Sequence, residues 1–419
     1  EIDEETYLEI PQGVSVQGDD QDMVLRLKKN LYGRKQASRT WSKHLAKGLL
    51  ERGFKQSAID ESLFYKGKMI FLVYVDDAII CGPSKREIDK MIESLKTTEI
   101  STNKPKANPT IKFNLTDEGD INDYLGVKVE KLKDGRIKLS QPHLIDQIIE
   151  DLDFKANTKS QDLPALITKM LDKDEQGRPF DEKWHYRSVI GKLNFLEKST
   201  RPELAYAVHQ CARFSQEPKE SHARAVKQIV RYLVGTRDKG IILDPKSQEF
   251  ECYADADFAG NWDKNRAEND PMTAKSRTGY VITYAGCPLI WSSKLQTEVA
   301  LSTTEAEYIA LSQALREVIP LMEIMNELRD QGILKHPPKP VIKCKLFEDN
   351  SGALELAQCP KMRPRTRHIN TKYHHFRHWV SSGDIVIKAI STANQIADIF
   401  TKPLGNGLFN SHRRSISMW

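Results

Sequence analysis

The chain has 419 residues, of which 39% are apolar (AVILMFWYC) and 29% are charged. This composition is typical of a folded globular protein and excludes wholesale disorder or a coiled-coil rod. The net charge of +5 permits a nucleic-acid partner but does not argue for one. The longest apolar stretch, near Met69–Val75, is too short to cross a bilayer, so no membrane partner is expected.

The ends and the cysteines of the chain restrict its class further. No charged-then-apolar leader opens the sequence, so no secretory signal is expected. The six cysteines are scattered without a C-x-x-C pair, which excludes a zinc knuckle built on that pair and indicates reduced, intracellular thiols. The sequence begins at Glu1 without a Met, and we expect it to be a piece of a longer protein.

Periodicity predicts a mixed α/β chain in three parts. Residues 1–140 mix strands and helices, residues 141–248 are mainly helical, and residues 249–419 alternate strands and helices. Predicted helices cover Thr40–Arg52, His143–Leu152, Trp184–Glu197, Glu203–Phe214, Glu220–Val234, Ser302–Leu328 and a short Asn394–Thr401. Predicted strands include the hairpins Lys68–Ile80 and Val127–Leu139, and the strands Phe250–Ala254 and Val341–Phe347.

Two adjacent acids, Asp76 and Asp77, interrupt the apolar run Lys68–Ile80. Neighbouring carboxylates repel each other unless a cation neutralises them. The pair therefore indicates a divalent-metal site for nucleotidyl transfer, in which two ions hold the attacking and leaving oxygens. The alternative is an ordinary solvated turn, which the dipeptide alone favours because Asp is common in turns. The apolar strands on both sides favour the metal site, since they would hold the acids on a rigid element.

Several motifs around this turn resemble those of reverse transcriptases. The run Tyr74–Asp77 (YVDD) is similar to the active-site motif of that class. Three further segments resemble copia-type polymerases of LTR retrotransposons, namely Tyr7–Pro11 (YLEIP), Leu31–Trp41 (LYGRKQASRTW) and Asp60–Phe64 (DESLF). Arg34, Ser38 and Glu61 depart from the family pattern.

The resemblance implies a partial right-hand polymerase palm in residues 1–140 and a helical thumb or connection in residues 141–248. Asp76 and Asp77 would then be catalytic ligands of Mg²⁺, for which Mn²⁺ can substitute. Lys35, Gln36 and Arg39 of the LYGRKQ motif would contact nucleic acid.

One catalytic acid of the resembled family would lie outside this sequence. In copia-type polymerases a third Asp precedes the segment that matches Glu4-Glu5, on the strand that opens the palm. A two-ion site needs acids from both strands. We therefore expect these residues to bind primer–template without extending it. Extension with dNTPs would require the upstream polyprotein segment.

The last part of the chain carries four acids where strands end or on helices: Asp255, Glu307, Asp349 and Asp398. Scattered acids usually form a solvated face, but the carboxyl ends of strands in an α/β layer are where ligand sites form. The helix Ser302–Leu328 carries Glu305 as well as Glu307.

Periodicity separates these two glutamates. Glu307 continues into Leu311, Ala314 and Val318, the face that should be buried. An acid on that face is costly unless it is paired or metal-bound. Glu305 follows Ser302 by three residues, as in a capping box. We therefore assign Glu307 to chemistry and Glu305 to helix capping.

These acids lie in motifs that resemble an RNase H domain of the copia type. The motifs are Tyr253–Gly260 (YADADFAG), Thr303–Leu311 (TTEAEYIAL), Phe347–Ser351 (FEDNS) and Asn394–Leu404 (NQIADIFTKPL). The resemblance implies that Asp255, Glu307, Asp349 and Asp398 are catalytic and bind Mg²⁺ or Mn²⁺, with Asp257 as an alternate. Many RNases H carry a His shortly before the last Asp, but Ile390–Ala393 contains none, which puts any His-assisted step in doubt.

Two basic segments are candidate nucleic-acid surfaces. The first, Lys361–Arg377, carries Arg363, Arg365, Arg367 and Lys372, and it resembles a basic run of the same family. Phosphate contacts explain it better than a zinc site, because its histidines lack Cys partners; a solvated loop is the alternative. The second is the helix Glu220–Val234, whose Arg224, Lys227 and Arg231 share one face. Alone, this pattern favours an ordinary amphipathic surface helix, but in a polymerase it could lie along a duplex.

The combined hypothesis is a segment of a retrotransposon polyprotein: an incomplete RNA-directed DNA polymerase followed by a ribonuclease H. Its partners would be an RNA template, RNA–DNA hybrid and DNA. The resemblance implies a cytoplasmic location in virus-like particles, with nuclear access as a pre-integration complex. The rival hypothesis is a catalytically decayed remnant that binds nucleic acid without cutting it.

Overall fold

The structure is a computed structural model, and it confirms the mixed α/β class. It describes residues 5–14, 23–31, 33–98, 110–155, 157–166, 171–181, 183–264, 270–335, 343–359, 369 and 371–419. The chain divides into two compact units, residues 1–119 with 323–336 and residues 120–322 with 337–419. No helix in the described ranges is long and apolar enough to span a membrane.

The described residues of the first unit form two small antiparallel sheets and two helices, together with the end of a third helix at residues 323–330. In chain order its elements are β1 (Tyr7–Glu9), β2 (Val24–Arg26), α1 (Ala37–Glu51), β3 (Lys55–Gln56), β4 (Leu63–Lys66), β5 (Met69–Tyr74), β6 (Asp77–Cys81) and α2 (Lys85–Lys96). β1 pairs with β2, and β3 to β6 form a four-stranded sheet in sequence order. β5 pairs with β6 so that Tyr74 lies opposite Asp77, which confirms the predicted hairpin. Leu49, Phe71 and Met91 lie in the small core between this sheet and the helices.

The second unit begins with a four-stranded sheet and a helical layer. Its elements are β7 (Asp123–Tyr124), β8 (Val127–Lys131), β9 (Ile137–Ser140), α3 (Pro142–Asp151), α4 (Tyr186–Ser199), α5 (Ala205–Ala212), α6 (Glu220–Gly235) and β10 (Ile241–Leu243). The predicted hairpin at Val127–Leu139 is confirmed as β8 and β9. The predicted helix Glu203–Phe214 is shorter than expected. A separate 3-10 turn, Pro202–Leu204, precedes α5, because Pro202 fits a first helical turn.

A five-stranded mixed sheet forms the rest of the second unit. The elements of this part are β11 (Phe250–Asp257), β12 (Arg277–Tyr284), β13 (Cys287–Leu295), α7 (Thr303–Asp330), β14 (Cys344–Glu348), α8 (Ser351–Gln358), α9 (Arg377–Ser381), β15 (Ile385–Ala389) and α10 (Asn406–Ser417). Residues 323–330 of α7 belong to the first unit. The strand order is β13-β12-β11-β14-β15. The pairs among β11, β12 and β13 are antiparallel, and β14 is parallel to both β11 and β15. The helical layer shares one buried core with this sheet, including Val281 and Trp291.

The boundaries of the two compact units differ from the boundaries of the three predicted parts. Residues 120–140 belong to the second unit, where β9 pairs with β10. Residues 323–336 belong to the first, where Glu327 accepts hydrogen bonds from Ser57 Oγ at 2.5 Å and Tyr65 Oη at 2.8 Å. The division into polymerase, connection and nuclease at residues 140 and 248 stays a prediction.

Candidate metal centre

Two neighbouring parallel strands bring Asp255 and Asp349 together. β11 and β14 pair in register up to Tyr253 opposite Phe347, whose rings stack at 4.6 Å. Asp255 and Asp349 each follow their stacked residue by two positions, so alternation places both acids on the same side of the sheet. Asp255 is 3% exposed, whereas Asp349 is half-buried.

The start of α7 adds the third carboxylate. Ser302 Oγ accepts a hydrogen bond from the Glu305 N–H at 3.1 Å, and the Glu305 carboxylate accepts one from the Leu301 N–H at 2.8 Å. Glu305 therefore caps the helix as predicted, although its return bond goes to the residue before Ser302. Glu307 is 4% exposed and lies on the buried face that its spacing predicted.

Asp255, Glu307 and Asp349 each offer a carboxylate oxygen, and these three oxygens lie within 4.8 Å of one another. Burial, followed by the charge of Asp255, raises the pKa of Glu307 well above its usual value. Its Oε2 atom is buried and has no hydrogen-bond partner in the described part of the chain. Hard carboxylate oxygens in this arrangement fit a divalent cation such as Mg²⁺ or Mn²⁺, which would relieve the repulsion.

Asp398 lies beside this group but does not belong to it. It follows Gln395, whose Nε2 donates to the Ala254 carbonyl at 2.9 Å and fastens the segment to β11. The predicted short helix is two 3-10 turns, Thr392–Asn394 and Ile396–Phe400. Gly279 lies opposite Asp255, and a Cβ there would come within 2.7 Å of Phe400 Cβ, so glycine permits this close approach. Burial and the charge of Asp255 raise the pKa of Asp398 to about 7.

Sequence reasoning missed a further acid, Glu348. It is 1% exposed, and burial raises its pKa to about 8. One oxygen accepts a hydrogen bond from the Asn350 N–H at 3.0 Å, and Oε2 has no partner among the described residues. Strand alternation could have revealed it, because Glu348 follows Cys344 and Leu346 on the inward side of β14. Asp257, the predicted alternate, is half-buried at the end of β11, and burial raises its pKa.

The YVDD turn is built differently. Asp76 and Asp77 are both exposed, and Val75 has a φ of 54°, a strained conformation for a β-branched residue. Trp41 Nε1 donates to the Val75 carbonyl at 2.7 Å, so α1 holds the turn. Within the described ranges, neither Asp76 nor Asp77 joins a group of three candidate metal ligands.

The predicted nucleic-acid residues have different surroundings. Lys35, Gln36 and Arg39 are exposed at the start of α1. On α6, Arg224 and Arg231 are exposed and Lys227 is half-buried, while Val226, Ile229, Val230 and Leu233 are fully buried. Arg363, Arg365 and Arg367 lie outside the described residues. Lys372 forms an ion pair with Glu298 at 2.5 Å.

The chain is similar to known proteins along its whole length. Residues 1–166 match the family described as reverse transcriptase (RNA-dependent DNA polymerase). The chain is 33% identical to the Pol polyprotein of transposon RE2 from Arabidopsis thaliana, over all of this chain and 26% of that protein. It is 32% identical to the Pol polyprotein of transposon TNT 1-94 from Nicotiana tabacum, over all of this chain and 30% of that protein. A putative transposon Ty5-1 protein from Saccharomyces cerevisiae is 28% identical, over 76% of this chain and 96% of that protein.

Two solved structures with RNase H domains are also similar. One is an N-terminal RNase H domain from Mycobacterium tuberculosis. The match covers 40% of this chain and 99% of the solved chain, at 15% identity and a TM-score of 0.25. The other is LC11-RNase H1, isolated from compost. The match covers 39% of this chain and 97% of the solved chain, at 19% identity and a TM-score of 0.25.

Residues 1–166 are therefore a reverse transcriptase domain. The chain belongs to the copia-type Pol polyproteins of retrotransposons, the family that its motifs predicted. It spans less than a third of the length of the RE2 and TNT 1-94 polyproteins.

Proposed function

We propose that residues 249–419 form a ribonuclease H that cuts the RNA strand of an RNA–DNA hybrid; apart from residues 323–336 they lie in the second unit. The observation that carries this proposal is the group of three carboxylates within 4.8 Å, with an oxygen of Glu307 buried and unpartnered among the described residues. Acids gathered in this way repel one another without a cation. Asp255, Glu307 and Asp349 would hold Mg²⁺ or Mn²⁺, and Asp398 would complete the predicted set of four.

The residues have separate parts in this chemistry. A bound divalent ion supplies Lewis acidity and lowers the pKa of a coordinated water. Asp255 and Asp349 would hold the ion from the ends of two paired strands, and the ion would attract the phosphate. Glu307 is held by the buried face of α7, which keeps its carboxylate in place without a flexible loop. Asp398 is placed beside Asp255 by the 3-10 segment that Gln395 fastens to β11.

The proposed substrate is recognised through its phosphates. Exposed Arg224 and Arg231 on α6 are candidate contacts to the backbone of an RNA–DNA hybrid, RNA template or DNA. Such contacts carry charge without reading sequence. Lys372 is a weaker candidate because its ion pair with Glu298 would first have to open. Binding should weaken steeply as salt rises, since each phosphate contact releases counterions.

Hybrid cleavage by the full chain tests the nuclease proposal. With Mg²⁺, a hybrid labelled in its RNA strand should be cut internally to leave 3′-hydroxyl ends. Asp255, Glu307 and Asp349 are called the triad below. Asp349→Asn should lower the rate by about 10³-fold, because the triad loses a charged ligand. Asp384→Asn, at a half-buried acid that pairs with Lys343, is the matched control and should cut normally. Hybrid binding without cleavage by the wild-type chain would support the decayed remnant instead.

We also propose that Asp76 and Asp77 serve RNA-directed DNA synthesis. The support is the match of residues 1–166 to the reverse transcriptase family and the fixed turn that presents both acids. In a Pol polypeptide that carries the complete polymerase, Asp76→Asn should abolish primer extension with dNTPs while hybrid cleavage continues. Extension at the wild-type rate in that variant would exclude Asp76 from the reaction.

The proposed location follows from the Pol family alone. We propose that the chain acts inside virus-like particles in the cytoplasm and enters the nucleus in a pre-integration complex. Cell fractionation with an antibody to the chain should recover it with particles that contain element RNA. Recovery of the chain without such particles would contradict this location.

A further inference from the structure

A lysine lies one helical turn after the fourth acid of the proposed nuclease. Lys402 Nζ is 2.9 Å from Asp398 Oδ1. The Asp398 side chain is 2% exposed, whereas the Lys402 side chain is 37% exposed. A nearly buried carboxylate thus has a cation from its own chain, which can withdraw toward solvent.

The preceding residue links the same segment to the triad. Thr401 is fully buried, and its Oγ donates a hydrogen bond to Asp255 Oδ2. Consecutive residues therefore contact two different acids: Thr401 holds Asp255, and Lys402 holds Asp398. The positive charge of Lys402 is also attracted by Asp255 and Asp349.

Asp398 interacts with Asp255 but lies outside the group of three oxygens that could share one ion. Asp255, Glu307 and Asp349 have oxygens close enough to share one ion, and Asp398 is not in that group. A second divalent ion, as a two-ion phosphoryl-transfer site needs, would use Asp398. To bind Asp398, this second ion would have to replace the Lys402 ammonium group, which already neutralises the Asp398 carboxylate.

We propose that Lys402 is a positioning residue that competes with the second divalent ion for Asp398. The first ion binds at the triad while Lys402 still contacts Asp398, and the second binds only when the Lys402 ammonium leaves Asp398. This inference rests on the proposed nuclease function, because it concerns the same acids. It makes occupancy of the second position depend on one lysine.

Mn²⁺ binding to the full chain, followed by electron paramagnetic resonance of the free ion, tests the inference without a substrate. In a reference chain that carries Asp76→Asn and Asp77→Asn, so that the turn binds no ion, one ion should bind tightly and one weakly. In Lys402→Met the weak dissociation constant should fall by about tenfold, equivalent to about 1.4 kcal/mol, while the tight one falls by a smaller factor, because Lys402 also attracts Asp255 and Asp349. Lys402→Arg, which keeps the cation, should retain the reference value.

A matched control removes a comparable ion pair elsewhere in the same unit. Lys343 Nζ pairs with Asp384 Oδ1 at 3.1 Å, and Lys343→Met should leave both Mn²⁺ constants unchanged. A second test compares Lys402→Met with and without Asp398, so that its result does not rest on a single variant that could be unstable. Asp398→Asn should remove the weak site, and adding Lys402→Met to it should then have no effect on Mn²⁺ binding.

The outcomes separate this inference from the function on which it rests. An unchanged weak constant in folded Lys402→Met, or an equal effect of Lys402→Met with and without Asp398, overturns the role of Lys402. If the chain cuts hybrid while the weak constant does not respond, only the lysine inference fails. If the constant responds as expected but the wild-type chain cuts no hybrid, the lysine inference stands and the nuclease function fails.

Discussion

The two acid sites of this chain are assembled in opposite ways. Asp76 and Asp77 are consecutive and exposed, in a turn that a hydrogen bond from Trp41 supports. The triad draws Asp255, Glu307 and Asp349 from three separate elements and buries two of them almost completely. Solvent screens the repulsion between exposed acids, whereas buried acids keep most of it. The buried site is therefore under electrostatic stress that a cation relieves, and the exposed turn is not.

The largest expected effect separates the two glutamates of α7. Glu307→Gln should lower hybrid cleavage by about 10² to 10³-fold, because it removes a buried charge from the reacting site. Glu305→Gln should change the rate by less than about threefold, since Gln can still accept the capping hydrogen bond. Steady-state cleavage rates at saturating Mg²⁺ measure both. Equal losses in the two variants would show that the assignment of Glu307 to chemistry is wrong.

Periodicity predicts elements and faces better than it predicts how elements meet. The buried position of Glu307 follows from its spacing to Leu311, Ala314 and Val318, and the structure confirms it. The Asp76–Asp77 hairpin follows from two apolar runs, and β5 and β6 confirm it. The grouping of Asp255 with Asp349 rests on the pairing of β11 with β14, two strands far apart in sequence. Only the family resemblance predicted that partnership.

The contacts that sequence reasoning missed are tertiary. The hydrogen bond from Trp41 to Val75 joins a helix to a turn, and no local sequence pattern predicts it. Gln395 reaches the carbonyl of Ala254 in the same way. Lys402 differs, because its four-residue spacing from Asp398 is visible in the sequence and typical of a helical ion pair. That spacing gained meaning only once Asp398 was seen to lie outside the triad.

Removing a charge should stabilise the buried site and leave the exposed turn unaffected. In EDTA, Asp349→Asn should raise the free energy of unfolding by about 1 to 2 kcal/mol, since it relieves repulsion with Asp255. Asp77→Asn should change it by less than about 0.5 kcal/mol, as surface substitutions usually do. Urea denaturation of each variant measures the difference. A destabilised Asp349→Asn in EDTA would mean that the triad is not under electrostatic stress.

The pH dependence of stability should report the same stress. The pKa of Glu348 is raised from 4.5 to about 8 in the folded chain. Its contribution is therefore fully present below about pH 4.5 and is lost as pH rises toward 8. The stability difference between wild type and Glu348→Gln in EDTA should shift against the wild type over this window. The slope should be at most about 1.4 kcal/mol per pH unit. A difference that does not vary with pH would contradict the raised pKa.

The smallest effect concerns the support of the exposed turn. Trp41→Phe keeps an aromatic ring beside Phe113, whose ring lies edge-on at 6.3 Å, but removes the donor to the Val75 carbonyl. A hydrogen bond of this kind contributes about 0.5 to 1.5 kcal/mol, and partial exposure of Trp41 places the expected loss near the lower limit. The strained φ of Val75 then has less to hold it, so the amides of the turn should exchange with deuterium several-fold faster.

Trp262→Phe, at an exposed tryptophan of the second unit, is the control and should leave exchange at the turn unchanged. If Trp41→Phe leaves exchange at Tyr74–Asp77 as slow as in the wild type, the turn is fixed by its own strands, and the contrast in how the two sites are supported must be revised.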